Sequence, residues 1–404
     1  MKFYIGLIFL ITLNLYSQWS SLTEFPGSAR RGSVSFVIGD KAYICTGNDG
    51  ELLNDLWEYD LTNDVWSRKA DFPPGPRWDA VGFSIGSKGY VGTGYTGSTH
   101  KKDFWEYNPE TDTWTQMANF GGPGRREAVG FSIGTKGYIG TGYSTPAGTY
   151  YNDFWEYDQV HDVWNQKADF GGTKRDGAVG FSINDKGYIG TGIDLNENHY
   201  KDIWEYDPLS DVWTKKAYMG GVARLGAVGF AIGNKGYIVG GFESDYPYSF
   251  YNDFWEYDPS SDSWLRLDDL PGAGRFEAVG LSDGVKGYIV TGQTDDGYVK
   301  ELWSYTVETG ITEALLPEET VLYQNYPNPF NPVTQIRFAL SKIAEVKLDV
   351  YNISGQRVAE LASGTLNAGH YAVDFDGSRF NSGLYYYTLE VDGKAITREM
   401  VLTK

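Results

Sequence analysis

The chain has one cysteine and four histidines in 404 residues. A single cysteine, Cys45, forms no internal disulfide. In Tyr43-Ile-Cys-Thr-Gly47 it reads as a small buried strand residue, not a reactive thiol. No phosphate-binding loop, nucleophile motif or zinc-ligand spacing occurs, so no cofactor and no metal are expected. Positive charge is scarce as well. Lys and Arg number 34 against 53 Asp and Glu, a formal net charge of −19. Nucleic acid and anionic membrane surfaces both require a cationic face, so neither is an expected partner. No stretch offers a long amphipathic helix, and beyond residue 18 no segment is a transmembrane candidate.

Aromatic residues and glycine are abundant: Tyr 31, Trp 13, Phe 21 and Gly 51. That mixture suits short strands and tight turns. The phrase from Ala128 to Gly142, followed by Asp153-Phe-Trp-Glu-Tyr157 and Trp164, recurs six times with small edits. Its first tryptophan falls at Trp57, Trp105, Trp155, Trp204, Trp255 and Trp303, in steps of 48 to 51 residues. A period near fifty marks a repeated sheet unit.

Each unit parses into four strands. In the third copy these are a (Ala128 to Ile133), b (Gly137 to Thr141), c (Asp153 to Tyr157) and d (Val163 to about Ala168). Turn signals separate a from b and c from d. In strand c, Trp155 and Tyr157 point to one face and Phe154 to the other, so both faces need cover. Sheets stacked radially meet that demand, which is a propeller. Residues 19–25 match the tail of a repeat, so the chain begins with the last strand of a unit.

These residues resemble the kelch family of β-propellers over about residues 19–310. The likeness rests on the glycine pair ending strand b (Gly240-Gly241; Thr-Gly in the other copies), on the strand c tyrosine, and on a tryptophan seven residues later, as in Tyr107 to Trp114. Six copies imply six blades. The family completes one blade from both chain ends, which implies that Trp19–Phe25 supplies strand d to the blade between Ala278 and Tyr305.

The flanks differ in character. Residues 1–18 have one basic residue and a short apolar core, which reads as a secretory signal peptide cleaved after Ser17 or Gln18. Residues 311–325 read as a linker. From residue 326 to 404, alternation at period two and frequent turns indicate a small β-sandwich. Tyr326-Pro-Asn-Pro-Phe-Asn-Pro332 and Ser382-Gly-Leu-Tyr-Tyr-Tyr-Thr-Leu389 there resemble the type A C-terminal sorting domain of the type IX secretion system, a module similar to immunoglobulin-like folds. The resemblance implies export by that machinery as a partner, removal of the domain, and a secreted or outer-cell-surface product. The fold expected is therefore all-β: a six-bladed kelch-type propeller, then an immunoglobulin-like sandwich.

Candidate site residues fall in the loops gathered round one end of the axis. An arginine stands before every strand a: Arg30, Arg77, Arg125, Arg175, Arg224 and Arg275. Six guanidiniums would make an anion or carboxylate site; alternatively each braces its own loops. The neighbouring positions vary and include Trp78, Asp79, Arg126, Glu127, Asp176, Phe276 and Glu277. The b-to-c loops add Tyr95, Tyr143, Tyr151, Tyr200 and Tyr248, a recognition type of surface. The acids before strand c (Asp55, Asp103, Asp153, Asp202, Asp253, Glu301) recur in register and read as turn or capping residues. The function expected is recognition of a protein or glycan through this face. The alternative is a sugar mutarotase or epimerase, known on six-bladed kelch folds, using an axial arginine and a carboxylate such as Glu127 or Glu277. A copper radical oxidase is disfavoured, because the histidines lie in loops or the tail and Cys45 in a core strand.

Overall fold

The structure is a computed structural model that describes residues 18–145, 148–243, 249–307, 320–325, 327–366 and 369–404. The signal-peptide reading, apart from Gln18, lies outside these residues, as do Tyr248 and most of the 311–325 linker. The described residues are all strand and connection, without a helix. They fall into two compact units, divided between residues 307 and 320. No helix among them is long and apolar enough to cross a membrane.

In the first unit, six four-stranded antiparallel sheets follow one another. The third is typical: Val129–Ile133, Lys136–Gly140, Phe154–Asp158 and Val163–Lys167, paired in that order. The expected bounds hold to about a residue. The innermost strand of each sheet lies against that of the next, and the last, Val279–Ser282, lies against the first, Val34–Ile38. Ser35 Oγ donates to Gly280 O at 3.1 Å across that junction. Strand Gln18–Ser21 pairs with Leu302–Thr306, placing Trp19 opposite Tyr305. It is the outer strand of the last sheet.

Strand c shows why the sheets must stack. Phe154 belongs to one buried core with Phe131, Tyr138 and Tyr206 of its own and the next sheet. Tyr157, on the opposite face, belongs to the previous core with Phe83, Tyr90 and Phe104. Close approach is enforced by glycine: a Cβ on Gly130 would sit 1.9 Å from Val81 Cγ1 of the neighbouring sheet. Polar latches run between sheets too. Trp164 Nε1 donates to Ala118 O at 3.1 Å, and Asp162 Oδ1 accepts from Ala118 N at 2.8 Å. Three b-to-c loops carry small hairpins that the sequence reading did not anticipate, among them Tyr143–Ser144 with Thr149–Tyr150.

The second unit has a three-stranded sheet (Val321–Leu322, Val333–Leu340, Gly369–Asp376) and a four-stranded one (Arg357–Leu366, Ala344–Asn352, Gly383–Val391, Lys394–Leu402). Alternate residues of both, including Ile336, Phe338, Leu348, Tyr387 and Leu389, fill one core.

Candidate functional site

The six repeated arginines are at most 1% exposed. A buried guanidinium must be paired, and each one is. Arg125 Nη1 donates to Thr141 O at 2.8 Å and to Asp153 Oδ1 at 2.6 Å, while Nη2 donates to Asp153 Oδ2 at 2.8 Å. The same fork joins Arg30 to Asp55, Arg77 to Asp103, Arg175 to Asp202 and Arg224 to Asp253, and Arg275 meets Glu301. Trp155 Nε1 donates to Asp153 Oδ2 at 2.8 Å, completing the carboxylate's bonds. Burial alone would raise Asp55, Asp103, Asp202 and Asp253, yet the hydrogen bonds and charge of their arginines hold them below the usual carboxylate range. An open arginine ring is therefore corrected: these groups brace the scaffold. The acids before strand c are their partners, not turn caps.

Two of the expected tyrosines serve the same braces. Tyr151 covers the Arg125 guanidinium at 4.1 Å and shares a hydrogen bond with Ser144 at 2.7 Å. Tyr200 covers Arg175 at 4.0 Å and donates to Asp194 at 2.7 Å.

The residues that reach the axis come one and two positions after each arginine. The second of these are Gly32, Asp79, Glu127, Gly177, Gly226 and Glu277. Each backbone N–H donates to the carbonyl of its neighbour in the ring: Gly32 to Glu277, Asp79 to Gly32, Glu127 to Asp79, Gly177 to Glu127, Gly226 to Gly177 and Glu277 to Gly226, at 2.8–3.3 Å. All six have φ between +49° and +61°. Glycine adopts that conformation freely, whereas Asp79, Glu127 and Glu277 are held there against their preference. Non-glycine residues kept in sparse backbone regions cluster at functional sites.

The three acids converge. One carboxylate oxygen from each of Asp79, Glu127 and Glu277 lies within 4.8 Å of the others. Arg31 Nε stands 3.4 Å from Glu277 Oε2, and Arg126 Nε stands 3.3 Å from Glu127 Oε1. Neither Nε makes a hydrogen bond, and Asp79 Oδ2, Asp176 Oδ1 and Glu277 Oε2 accept none from the described residues. Aromatic rings wall this cluster. Trp78, Tyr95 and Tyr143 surround the Arg126 guanidinium at 5.4, 5.7 and 5.5 Å, and Phe276 and Trp78 flank Arg31 at 5.7 and 5.0 Å. His100 lies 4.6 Å from the Tyr95 ring.

Burial and mutual repulsion set the acids' protonation. Asp79 is driven well above the usual range by burial, then by Glu277 and Glu127. Burial, then the charge of Glu127, lifts Asp176 and Glu277 each to about 8. Glu127 is raised by burial while Arg126 and Arg31 oppose. Beneath the acids runs a narrow channel of about 170 Å³, lined by the opening residues of every innermost strand, from Ser33 to Gly280. A wider open cleft of about 700 Å³, bordered by Lys201, Trp255 and Arg266, includes the scaffold residue Asp253.

So the structure brings together Trp78, Tyr95, Glu127, Tyr143, Phe276 and Glu277 from the expected set. Sequence reasoning missed Arg31; it singled out Asp79, Arg126 and Asp176 as variable neighbours of the arginines, and His100 as a residue of a b-to-c loop, without placing them together. The available signal was variation: the position after each repeated arginine reads Arg31, Trp78, Arg126, Asp176, Leu225 and Phe276.

One consequence is measurable. Three copies place glycine in the hydrogen-bonded ring, so Asp79→Gly fits the backbone. It removes left-handed strain of roughly 1 kcal/mol and one of the crowded buried acids. The variant should unfold at a higher temperature than the wild type in buffer free of divalent cations. A lower melting temperature would show that the carboxylate holds the ring together.

Comparison with known proteins agrees with this architecture. Residues 8–175 and 73–241 match the KLHDC2/KLHL20/DRC7 Kelch-repeats domain, and residues 223–271 match the Kelch motif. Residues 324–403 match the secretion system C-terminal sorting domain. A search of curated proteins gave no match. Among solved structures, that of YjhT is similar with a TM-score of 0.63 at 18% identity, covering 72% of this chain and 98% of that one. This likeness shows the fold. The chain belongs to the kelch-repeat family, with a propeller-like all-β fold, and its C-terminal sorting domain directs it through the type IX secretion system to the cell surface or beyond.

Proposed function

We propose that the protein is a secreted or cell-surface recognition module that binds a glycan at the axis of a six-bladed propeller. In this reading the signal peptide is residues 1–18, the propeller is residues 19–310, and an immunoglobulin-like sandwich of residues 326–404 serves export only. The observation that carries it is the Arg126 guanidinium set among Trp78, Tyr95 and Tyr143 beside carboxylates with unpartnered oxygens. Aromatic faces cover the apolar faces of a sugar ring. Guanidinium and carboxylate groups satisfy its hydroxyls in pairs. A peptide offering hydroxyl or amide groups is the other ligand this chemistry suits.

A second reading, a mutarotase- or epimerase-like enzyme, is favoured by one observation. Asp176 and Glu277, lifted to about 8, hold protons at neutral pH and can both give and take one. A glycan and peptide array probed with the full chain separates these readings from each other. Binding to polyhydroxylated ligands without a change in anomer exchange, followed by NMR, supports recognition. Accelerated exchange that Glu277→Gln abolishes supports the enzyme. An array without any signal and an unaltered exchange rate would refute both.

A further inference from the structure

We propose that Asp79, Glu127 and Glu277 form a binding site for one divalent cation on the propeller axis, with Ca²⁺ the best fit. The inference stands apart from the glycan reading and does not need it.

The geometry comes first. Oxygens coordinated to Ca²⁺ lie about 2.3–2.6 Å from the ion. Opposite ligands of one ion are therefore up to about 5 Å apart. The three carboxylate oxygens, mutually within 4.8 Å, fit inside one such sphere. Ca²⁺ tolerates irregular oxygen geometry, whereas Mg²⁺ demands a near-ideal octahedron. Three carboxylates from three different sheets, unevenly spaced round the axis because Gly32 separates Glu277 from Asp79, suit the tolerant ion.

Burial adds a second, separate observation. Asp79 is only 7% exposed, yet its Oδ2 has no hydrogen-bond partner among the described residues. Neighbouring Asp176 is 5% exposed, and its Oδ1 is likewise without one. Carboxylate oxygens taken out of water require a donor or a cation. Space for Asp79 is specifically kept: a Cβ at position 32 would lie 2.5 Å from Asp79 Oδ1, and the residue there is Gly32.

Charge gives the stoichiometry. Asp79, Glu127, Asp176 and Glu277 face only two cationic side chains, Arg31 and Arg126, so a cation that displaces the acids' protons meets an excess of two negative charges. One divalent cation neutralises the cluster. The two arginines then act as outer support, each beside one glutamate carboxylate.

The test uses Tb³⁺, a luminescent stand-in for Ca²⁺, with the full chain. Trp78 adjoins Asp79 and can sensitise its emission on excitation of the indole. The wild type should show saturable Tb³⁺ emission at one ion per chain, reversed by Ca²⁺, and a melting temperature that rises with Ca²⁺ and falls with chelator. Asp79→Gly and Glu277→Gln should each weaken Tb³⁺ binding at least tenfold. Both variants are first checked for cooperative unfolding in chelator, so that loss of binding is not loss of fold. Wild-type protein that gives no saturable emission, or binding that both folded variants retain, would overturn the site. Displacement by Mg²⁺ at lower concentration than Ca²⁺ would overturn the choice of ion.

Discussion

Phe25→Ala lowers the unfolding free energy of the propeller by about 3–5 kcal/mol. Phe25 is fully buried and stands at the same repeat position as Phe72, Phe120 and Phe170. Its ring meets Trp57 at 5.9 Å and Trp66 at 5.2 Å in the first sheet and lies 4.9 Å from the Arg30 guanidinium. The backbone of the same segment belongs to the last sheet: Leu22 N donates to Leu302 O and Phe25 N to Lys300 O, both at 3.0 Å. Trp66 Nε1 donates to Thr23 O at 2.9 Å, and Asp64 accepts from Thr23 N at 2.9 Å. Trp19 continues the join, touching Phe254 and Tyr305 at 5.0 and 5.1 Å and donating to Asp268 O at 3.0 Å. This short segment at the start of the described chain thus fastens the last sheet to the first. Deleting residues 18–25 should cost more than any single substitution within them. Urea unfolding followed by tryptophan fluorescence measures both effects. A deletion variant with the wild-type midpoint would show that the ring closes without this strand.

The second large effect belongs to the buried ion pairs. Asp153→Leu leaves the Arg125 guanidinium buried without its carboxylate, which should cost about 3–5 kcal/mol. Removing both charges together, with Arg125→Met and Asp153→Leu, should recover most of that loss, because the desolvation cost disappears with the charges. If the double variant were as unstable as the single one, the fork would be contributing more than charge neutralisation. The same pairs set an acid limit. Asp55, Asp103, Asp202 and Asp253 titrate lower in the folded chain than in the unfolded one. Their stabilisation is therefore fully present above the unfolded carboxyl value, near pH 4, and is lost as pH falls through the lower folded value. Melting temperature should drop steeply below about pH 4. A flat profile down to about pH 2 would contradict the linkage.

Much of this was legible because the repeat presents each rule six times. Trp-Glu-Tyr in strand c announces a sheet apolar on both faces, and Phe154 and Tyr157 do enter cores on opposite sides. The orphan Trp19–Phe25 announced its place through likeness to other repeat tails. The arginines and the acids before strand c were both visible in register, but not their pairing. They lie 25 to 29 residues apart, on connections that only the folded sheet brings together. Glu127 and Glu277 were legible as axial candidates, but the convergence of Asp79, Glu127 and Glu277 was not. They act from a ring of left-handed residues between sheets, where neither strand period nor turn chemistry marks which side chain turns inward. Gly32, Gly177 and Gly226 at the matching positions were a second hint, beside the variation between copies. Arg31 escaped notice beside Arg30, although the first belongs to the axis and the second to the scaffold.

The central claim is that binding resides in the axial residues that differ between repeats, and stability in those that recur. The direct measurement is a calorimetric titration of the strongest array glycan into the full chain carrying Trp78→Ala and Arg126→Ala, with melting temperature read in parallel. Affinity should fall at least a hundredfold while the melting temperature stays within a few degrees of the wild type. Unchanged affinity in that folded variant would place the binding surface elsewhere and contradict the account.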